Sequence, residues 1–264
     1  MANKGNDSTG KTLLVVLVLC LVCSVIVSGA AVGLKSRQHE QRELDKQRNI
    51  LSVAGLMQPG MSSDEVQAVF SKRISARLVD LQSGDILDKD PAAFNEAQAL
   101  RDPEQSLTLT AQQDPAGIKR RANIAEVWLV HDEHQTKVKE LILPIYGNGL
   151  WSVMYAFVAL ETDGRTIRGM TYYDHGETPG LGGEIENPNW LKLFAGKQVV
   201  DENGRPSIRV VKGRARVGSA YEVDGLSGAT LTSKGVQHSF EFWMGELGFG
   251  PFLKQVREGA LNNG

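Results

Sequence analysis

Two glycine-rich stretches carry the residues most suited to chemistry. The first, Asp224-Gly225-Leu226-Ser227-Gly228-Ala229-Thr230-Leu231-Thr232-Ser233, is a loop of small residues running into a helical pattern. Gly228 and Ala229 let a ligand approach the backbone, and the free N–H groups of a helix start favour an anion. Thr230 would set a hydroxyl beside that anion. On spacing alone, Thr230 or Thr232 could equally be a plain helix cap. The second stretch, His175-Gly176-Glu177-Thr178-Pro179-Gly180-Leu181-Gly182-Gly183-Glu184, follows a strand pattern and is rich in positions able to take unusual backbone angles. His175, Glu177 and Glu184 could be read as metal ligands, but spacing within a loop fixes no coordination geometry. A purely structural turn is the other reading. Trp151 could stack on a ligand or sit at the rim of the core. Lys212 could neutralise an anion or be an ordinary exposed lysine.

The elements that must position these residues can be read in outline. AEVWLV, KVKELILPIYG, LWSVMYAFVAL and TIRGMTYYD read as four strands between Ala125 and Asp174, joined by turns at 147–149 and 162–165. Pro188 to Ala195 reads as a short helix and SIRVVK as another strand. From Thr232, the apolar positions Val236, Phe240, Trp243, Met244 and Leu247 keep helical spacing, with Gly248 as the stop. Trp128 and Trp243 fall on apolar faces and are assigned to the core. Upstream, Ser62 and Glu65 form a capping box opening a helix through Phe70, and ISARLVDL alternates like a strand. Residues 84–122 are polar and punctuated by Asp90-Pro91, Asp102-Pro103 and Asp114-Pro115, which predicts loops or a peripheral insertion. Hairpins with helices at the edges imply an α+β fold with a largely antiparallel sheet and flanking helices.

From Thr12 to Leu34 no residue is charged. A helix there would be roughly 34 Å long, enough to cross a bilayer, and the run is longer than the apolar region of a signal peptide. The expected organisation is a tail (1–11), a transmembrane helix (12–34), a charged helical stalk (35–50), an N-terminal soluble part with the polar insertion (51–123) and a main domain (124–264). Basic residues after the span outnumber those before it, which by the positive-inside rule puts the body in the cytoplasm. Gly5-Asn6-Asp7-Ser8-Thr9-Gly10-Lys11-Thr12 matches a P-loop pattern letter for letter, yet only four residues precede it, too few for the strand that motif needs.

The 264 residues carry 29 Lys+Arg against 31 Asp+Glu. That balance gives no bulk basicity for nucleic acid. The two cysteines, Cys20 and Cys23, both lie in the apolar run, so the soluble part holds no disulfide, thiolate nucleophile or Cys-ligated metal.

The Asp224–Thr230 stretch resembles the D-x-x-[ST]-G-A-[ST] signature of flavinylated proteins, and the His175–Gly182 stretch resembles the H-x-E-T-P-G-L-G loop of the same covalent FMN-binding family. One N-terminal span followed by such a domain is similar, over nearly the full length, to the family of single-span flavin subunits of the sodium-translocating NADH:quinone reductase. The resemblance implies FMN joined by a phosphoester to Thr230 by a flavin transferase that recognises Asp224. It also implies cofactor contacts from Ser227, Gly228, Ala229, Leu231 and Thr232, and from Glu177, Thr178, Leu181 and Gly182, with Trp151 and Lys212 as further candidates. It implies an electron carrier with no catalytic acid–base pair of its own, bound to the other subunits of a respiratory complex in a bacterial inner membrane. The body would then be periplasmic, against the charge count. A flavin subunit of the related ferredoxin-linked ion-translocating complex, and a non-redox anchored binding module, are the alternatives. A hydrolase with Thr230 as nucleophile lacks an adjacent base.

Overall fold

The uncharged N-terminal run forms part of one long helix, α1 (Thr9–Val53), in a computed structural model that describes residues 9–262. Its most apolar 18-residue window has a mean hydropathy of 3.0 and is nowhere buried in protein. It is the one helix among the described residues long and apolar enough to cross a membrane. The charged stretch 35–50 continues it without a break. The P-loop-like match begins outside the described residues, and Thr9 to Thr12 are the first turn of this helix. The tail expected over 1–11 therefore ends earlier. Cys20 and Cys23 are exposed free thiols on α1.

The chain divides into two compact units, Met1–Lys46 and Gln47–Gly264. In the second, the end of α1 buries Ile50 and Leu51 completely. Helix α2 (Ser63–Arg73) opens with the expected capping box. The Glu65 N–H donates to Ser62 Oγ (3.3 Å), and the Ser62 N–H donates to Glu65 Oε2 (2.8 Å). There follow β1 (Ile74–Asp80), β2 (Ile86–Leu87), α3 (Glu96–Ala99), β3 (Ser106–Thr108) and β4 (Arg120–Ala122). The stretch 84–122 is thus more ordered than a loop: β3 and β4 pair as a small antiparallel ribbon. Each Asp-Pro pair caps a turn, with Asp90, Asp102 and Asp114 accepting from downstream N–H groups.

The long strands are β5 (Ile124–His131), β6 (Val138–Asn148), β7 (Val153–Glu161) and β8 (Ile167–Asp174). With β1 and β2 they form a six-stranded sheet in the order β2-β1-β5-β6-β7-β8, antiparallel throughout. Alternate residues point to opposite faces. Leu141, Leu143, Ile145, Ala156 and Val158 join the main core cluster, while Ile142 and Phe157 bury the other face, where Phe157 meets Trp128 edge-on at 5.2 Å.

The remaining elements are α4 (Pro188–Leu191), β9 (Arg209–Val211), β10 (Glu222–Asp224), α5 (Thr230–Trp243) and α6 (Gly250–Arg257). The strand expected over 207–212 is shorter and pairs in parallel with β10. The helix expected from Thr232 to Gly248 begins two residues earlier and ends at Trp243. The helix expected over 188–195 tightens into a 3-10 turn at Lys192–Phe194. Helix α5 lies on β6, where Trp243 Nε1 donates to the Tyr146 carbonyl (2.7 Å). A Cβ on Gly235 would run into the Asn148 carbonyl, so glycine sets the close approach of helix to strand. As expected, Trp128 and Trp243 are buried.

Candidate functional site

The β6–β7 register pairs Asn148 with Val153, and Tyr155 lies opposite Asp174 of β8. The 149–152 turn and the segment from His175 onward therefore leave the sheet at the same end. The start of α5 arrives there from β10. Three stretches far apart in sequence meet.

The meeting point is Glu177. Its carboxylate is 4% exposed and accepts from Thr232 Oγ1 (2.6 Å) through Oε2, and from the N–H groups of Trp151 (2.8 Å) and Ser152 (3.3 Å) through Oε1. Burial by itself pushes this carboxyl up. Donation from Thr232 and from the N–H groups of Trp151, Leu150 and Ser152 outweighs it and holds the group below the usual carboxylate range. Glycines make the packing possible: a Cβ on Gly149 would stand 2.5 Å from Glu177 Oε1, and one on Gly182 2.6 Å from Oε2. His175 Nδ1 accepts from the Glu177 N–H (3.1 Å), and its Nε2 lies 3.0 Å from Glu186 Oε1. Ser152 Oγ accepts from the Gly176 N–H (2.5 Å). Thr178 is exposed, and its carbonyl accepts from Leu181 and Gly183 to close the turn.

The signature loop is anchored from beneath. Asp224 is held twice: its carbonyl accepts from Trp190 Nε1 (2.7 Å) and its carboxylate from the Ala215 N–H (2.7 Å). A Cβ on Gly225 would lie 2.5 Å from the Val211 carbonyl, so glycine is required where the loop crosses β9. Gly228 takes a φ of +75°, and Ser233 Oγ accepts from the Leu226 N–H (3.0 Å) to close the loop onto the helix. The N-cap position is Ala229, buried, with no side-chain cap. Neither threonine caps the helix. Thr232 is buried against Glu177, while Thr230 stands exposed at the first helical position beside exposed Ser227, Gly228 and Leu231.

A cavity of about 560 Å³ opens beside Thr230, between the end of β9 and the start of α5; Lys212, Gly213, Leu226, Gly228, Thr230 and Lys234 are among its walls. The structure thus brings Lys212 to Thr230. It also brings Lys234, which the sequence reading missed although its i, i+4 spacing from Thr230 was a usable signal. On the Glu177 side the rim is apolar and open: Leu150, Leu181 and Leu231 are exposed, and Trp151 is 70% exposed. Trp151 is therefore no core residue. A built-in anion seat next to an exposed hydroxyl, flanked by an apolar shelf, suits a flat aromatic ligand bearing a phosphate.

Known proteins share this arrangement. The FMN-binding domain family matches residues 149–245, from the 149–152 turn to just beyond α5. Along its length the chain is 65% identical to the NqrC-type subunit of the Na(+)-translocating NADH-quinone reductase of Yersinia pestis, covering 99% of this chain and 98% of that protein. It is 56% identical to the corresponding subunit from Vibrio vulnificus, covering 97% and 99%. The crystal structure of Shewanella oneidensis NqrC superposes with a TM-score of 0.76 at 40% identity, covering 83% of this chain and all of that one. The equivalent Na(+)-translocating NADH-quinone reductase subunit from Parabacteroides distasonis gives 0.63 at 28% identity, covering 82% and 96%.

Proposed function

The chain belongs to the NqrC family of Na(+)-translocating NADH-quinone reductase subunits, and from that premise we propose that it is the membrane-anchored flavin subunit of such a complex, carrying FMN on Thr230. Full-length identity to quinone-reductase subunits favours that complex over the ferredoxin-linked one. The observation that carries the attachment is the partition of the two hydroxyls: Thr232 is consumed by Glu177, whereas Thr230 is exposed, uncapped and opens onto a cavity with two lysines.

The residues present fit the group. The phosphate end would lie over the first turn of α5, where the helix dipole stabilises one negative charge by about 0.3–1 kcal/mol. Lys212 adds a cation there. The ring would rest on Leu181 and Leu231 with Trp151 at its border, over a floor made by Gly182 and Glu177 and a turn at Thr178. FMN, when bound, supplies one- and two-electron transfer chemistry. The chain's own part is positioning. Glu177 has donors on both oxygens, so it ties three segments together rather than moving a proton. The exposed rim leaves a path for electrons to partner subunits. Asp224, on this reading, shapes the loop for the flavin transferase through its bond to the Ala215 N–H. We further propose that α1 anchors the chain in the inner membrane with residues 47–264 on the periplasmic side.

The test is Thr230→Ala produced together with a flavin transferase. Covalent flavin fluorescence on a denaturing gel should vanish, and the intact mass should match the bare polypeptide. Full fluorescence on the variant would overturn the assignment.

A further inference from the structure

Lys234 stands one helical turn beyond Thr230 on the same face of α5, and Lys212 approaches from the end of β9 across the cavity. Neither ammonium is paired with a carboxylate among the described residues. The first turn of α5 has no acidic residue and no side-chain cap. Two cations and a helix start converge on one hydroxyl. A cation near a helix N-terminus is disfavoured by the dipole, so the arrangement is repulsive until an anion enters. A finished phosphoester carries one negative charge. Two lysines plus the dipole exceed what that product needs, and match a more highly charged species on its way to it.

We infer that Lys234, with Lys212 opposite, holds the diphosphate of an incoming flavin nucleotide in line with Thr230 Oγ while the cofactor is attached. The inference rests on Thr230 being the attachment site. The donor class is a flavin nucleotide whose riboflavin phosphate is joined through a pyrophosphate bond to a nucleoside monophosphate. In the step, Thr230 Oγ bonds to the riboflavin phosphorus and the bridging P–O bond breaks. Its electron pair leaves with the nucleoside monophosphate. The hydroxyl proton passes to a base of the transferase, and nothing is oxidised or reduced. Charge on the transferring phosphoryl oxygens is what preorganised cations stabilise in such a transfer, so Lys234 acts on the rate more than on docking. An ammonium on a flexible stem, with three rotatable donors, can follow those oxygens as they move.

The experiment uses the full-length chain made without transferase, kept in detergent, then mixed with purified transferase, magnesium and flavin adenine dinucleotide. Covalent fluorescence is followed in gels over time at several chain concentrations. Lys234→Met, which keeps the apolar stem, should lower kcat about tenfold, equivalent to about 1.4 kcal/mol, with KM for the chain unchanged within about twofold. Lys234→Arg should regain at least half the wild-type rate. Labelling of Lys234→Met at the wild-type rate, a change in KM alone, or a loss that arginine does not recover would each overturn the inference. Thr230→Ala run alongside separates the two claims. If it is labelled, the attachment site itself is wrong; if it stays unlabelled while Lys234→Met is labelled normally, only the role of Lys234 fails.

Discussion

Replacing Thr232 by valine keeps the shape of the side chain and removes one donor. In the wild type, Oγ1 of Thr232 donates to Glu177 Oε2 at 2.6 Å, and the two side chains are 1% and 4% exposed. Valine leaves that oxygen inside the protein without its partner, while the Trp151 and Ser152 N–H groups still serve the other. A hydrogen bond to a charged group contributes about 1.5–3 kcal/mol, and an orphaned buried acceptor moves the loss to the upper part of that range. The expected cost is about 2–3 kcal/mol at pH 7. Its pH dependence has a definite sign. The donors hold the Glu177 carboxyl below its ordinary value of 4.5 against the opposing effect of burial. A carboxyl whose pKa is depressed by folding stabilises the native state above its unfolded pKa and loses that contribution as pH falls through the folded one. The deficit of Thr232→Val is therefore full above about pH 5 and shrinks below about pH 4. Urea unfolding of the full chain in detergent at a series of pH values measures it, with Thr232→Ser, which keeps the donor, as control. A loss under about 0.5 kcal/mol at pH 7, or an equal loss across the series, refutes the account of Glu177 as a charged tie.

Gly182→Ala should be destabilising by about 1–3 kcal/mol, because the new Cβ would sit 2.6 Å from Glu177 Oε2 and 2.7 Å from Thr232 Oγ1; a variant that melts like wild type would show that the pair gives way freely. Phe194→Ala removes a fully buried ring that meets Trp190 edge-on at 5.0 Å and stacks on Phe240 at 5.7 Å. It should cost about 3–5 kcal/mol in a chemical-denaturation titration, and a loss near 1 kcal/mol would mean the site collapses without a cavity.

What could be read from the sequence was what short-range pattern encodes. The capping box at Ser62 and Glu65, the alternation of the long strands and the helical spacing from Val236 to Trp243 each sit within one element, and each appears in the fold. The glycines of the two signature stretches announced tight backbone, and Gly182 and Gly225 do sit where a Cβ would collide. Helix α6 was not legible, because eight residues are too few to be helical on their own and are held by burying Phe252, Leu253 and Val256. The end of α5 at Trp243 was missed because Met244 and Leu247 pack into or against the core beyond the helix, prolonging the apolar pattern without prolonging the backbone. The parallel pairing of β9 with β10 is a tertiary fact, as is the exposure of Trp151. The bond from Thr232 to Glu177 spans 55 residues, and no local pattern reports it.

That bond also bears on the choice between the two threonines. Thr230 and Thr232 are two positions apart, about 200° around the helix, so they face different neighbours. Had Thr232 been the phosphate acceptor, the ester's negative charge would lie against a buried carboxylate already held ionised, and two uncompensated like charges away from water cost several kcal/mol. A phosphate on Thr230 meets the opposite field: first-turn N–H groups and two ammoniums, with solvent close by. The choice between two chemically identical hydroxyls thus follows from electrostatics, and the residue that makes the choice, Glu177, comes from the other loop. The two glycine-rich stretches are therefore one device, since the carboxylate that ties the first loop to the helix also disqualifies the wrong threonine.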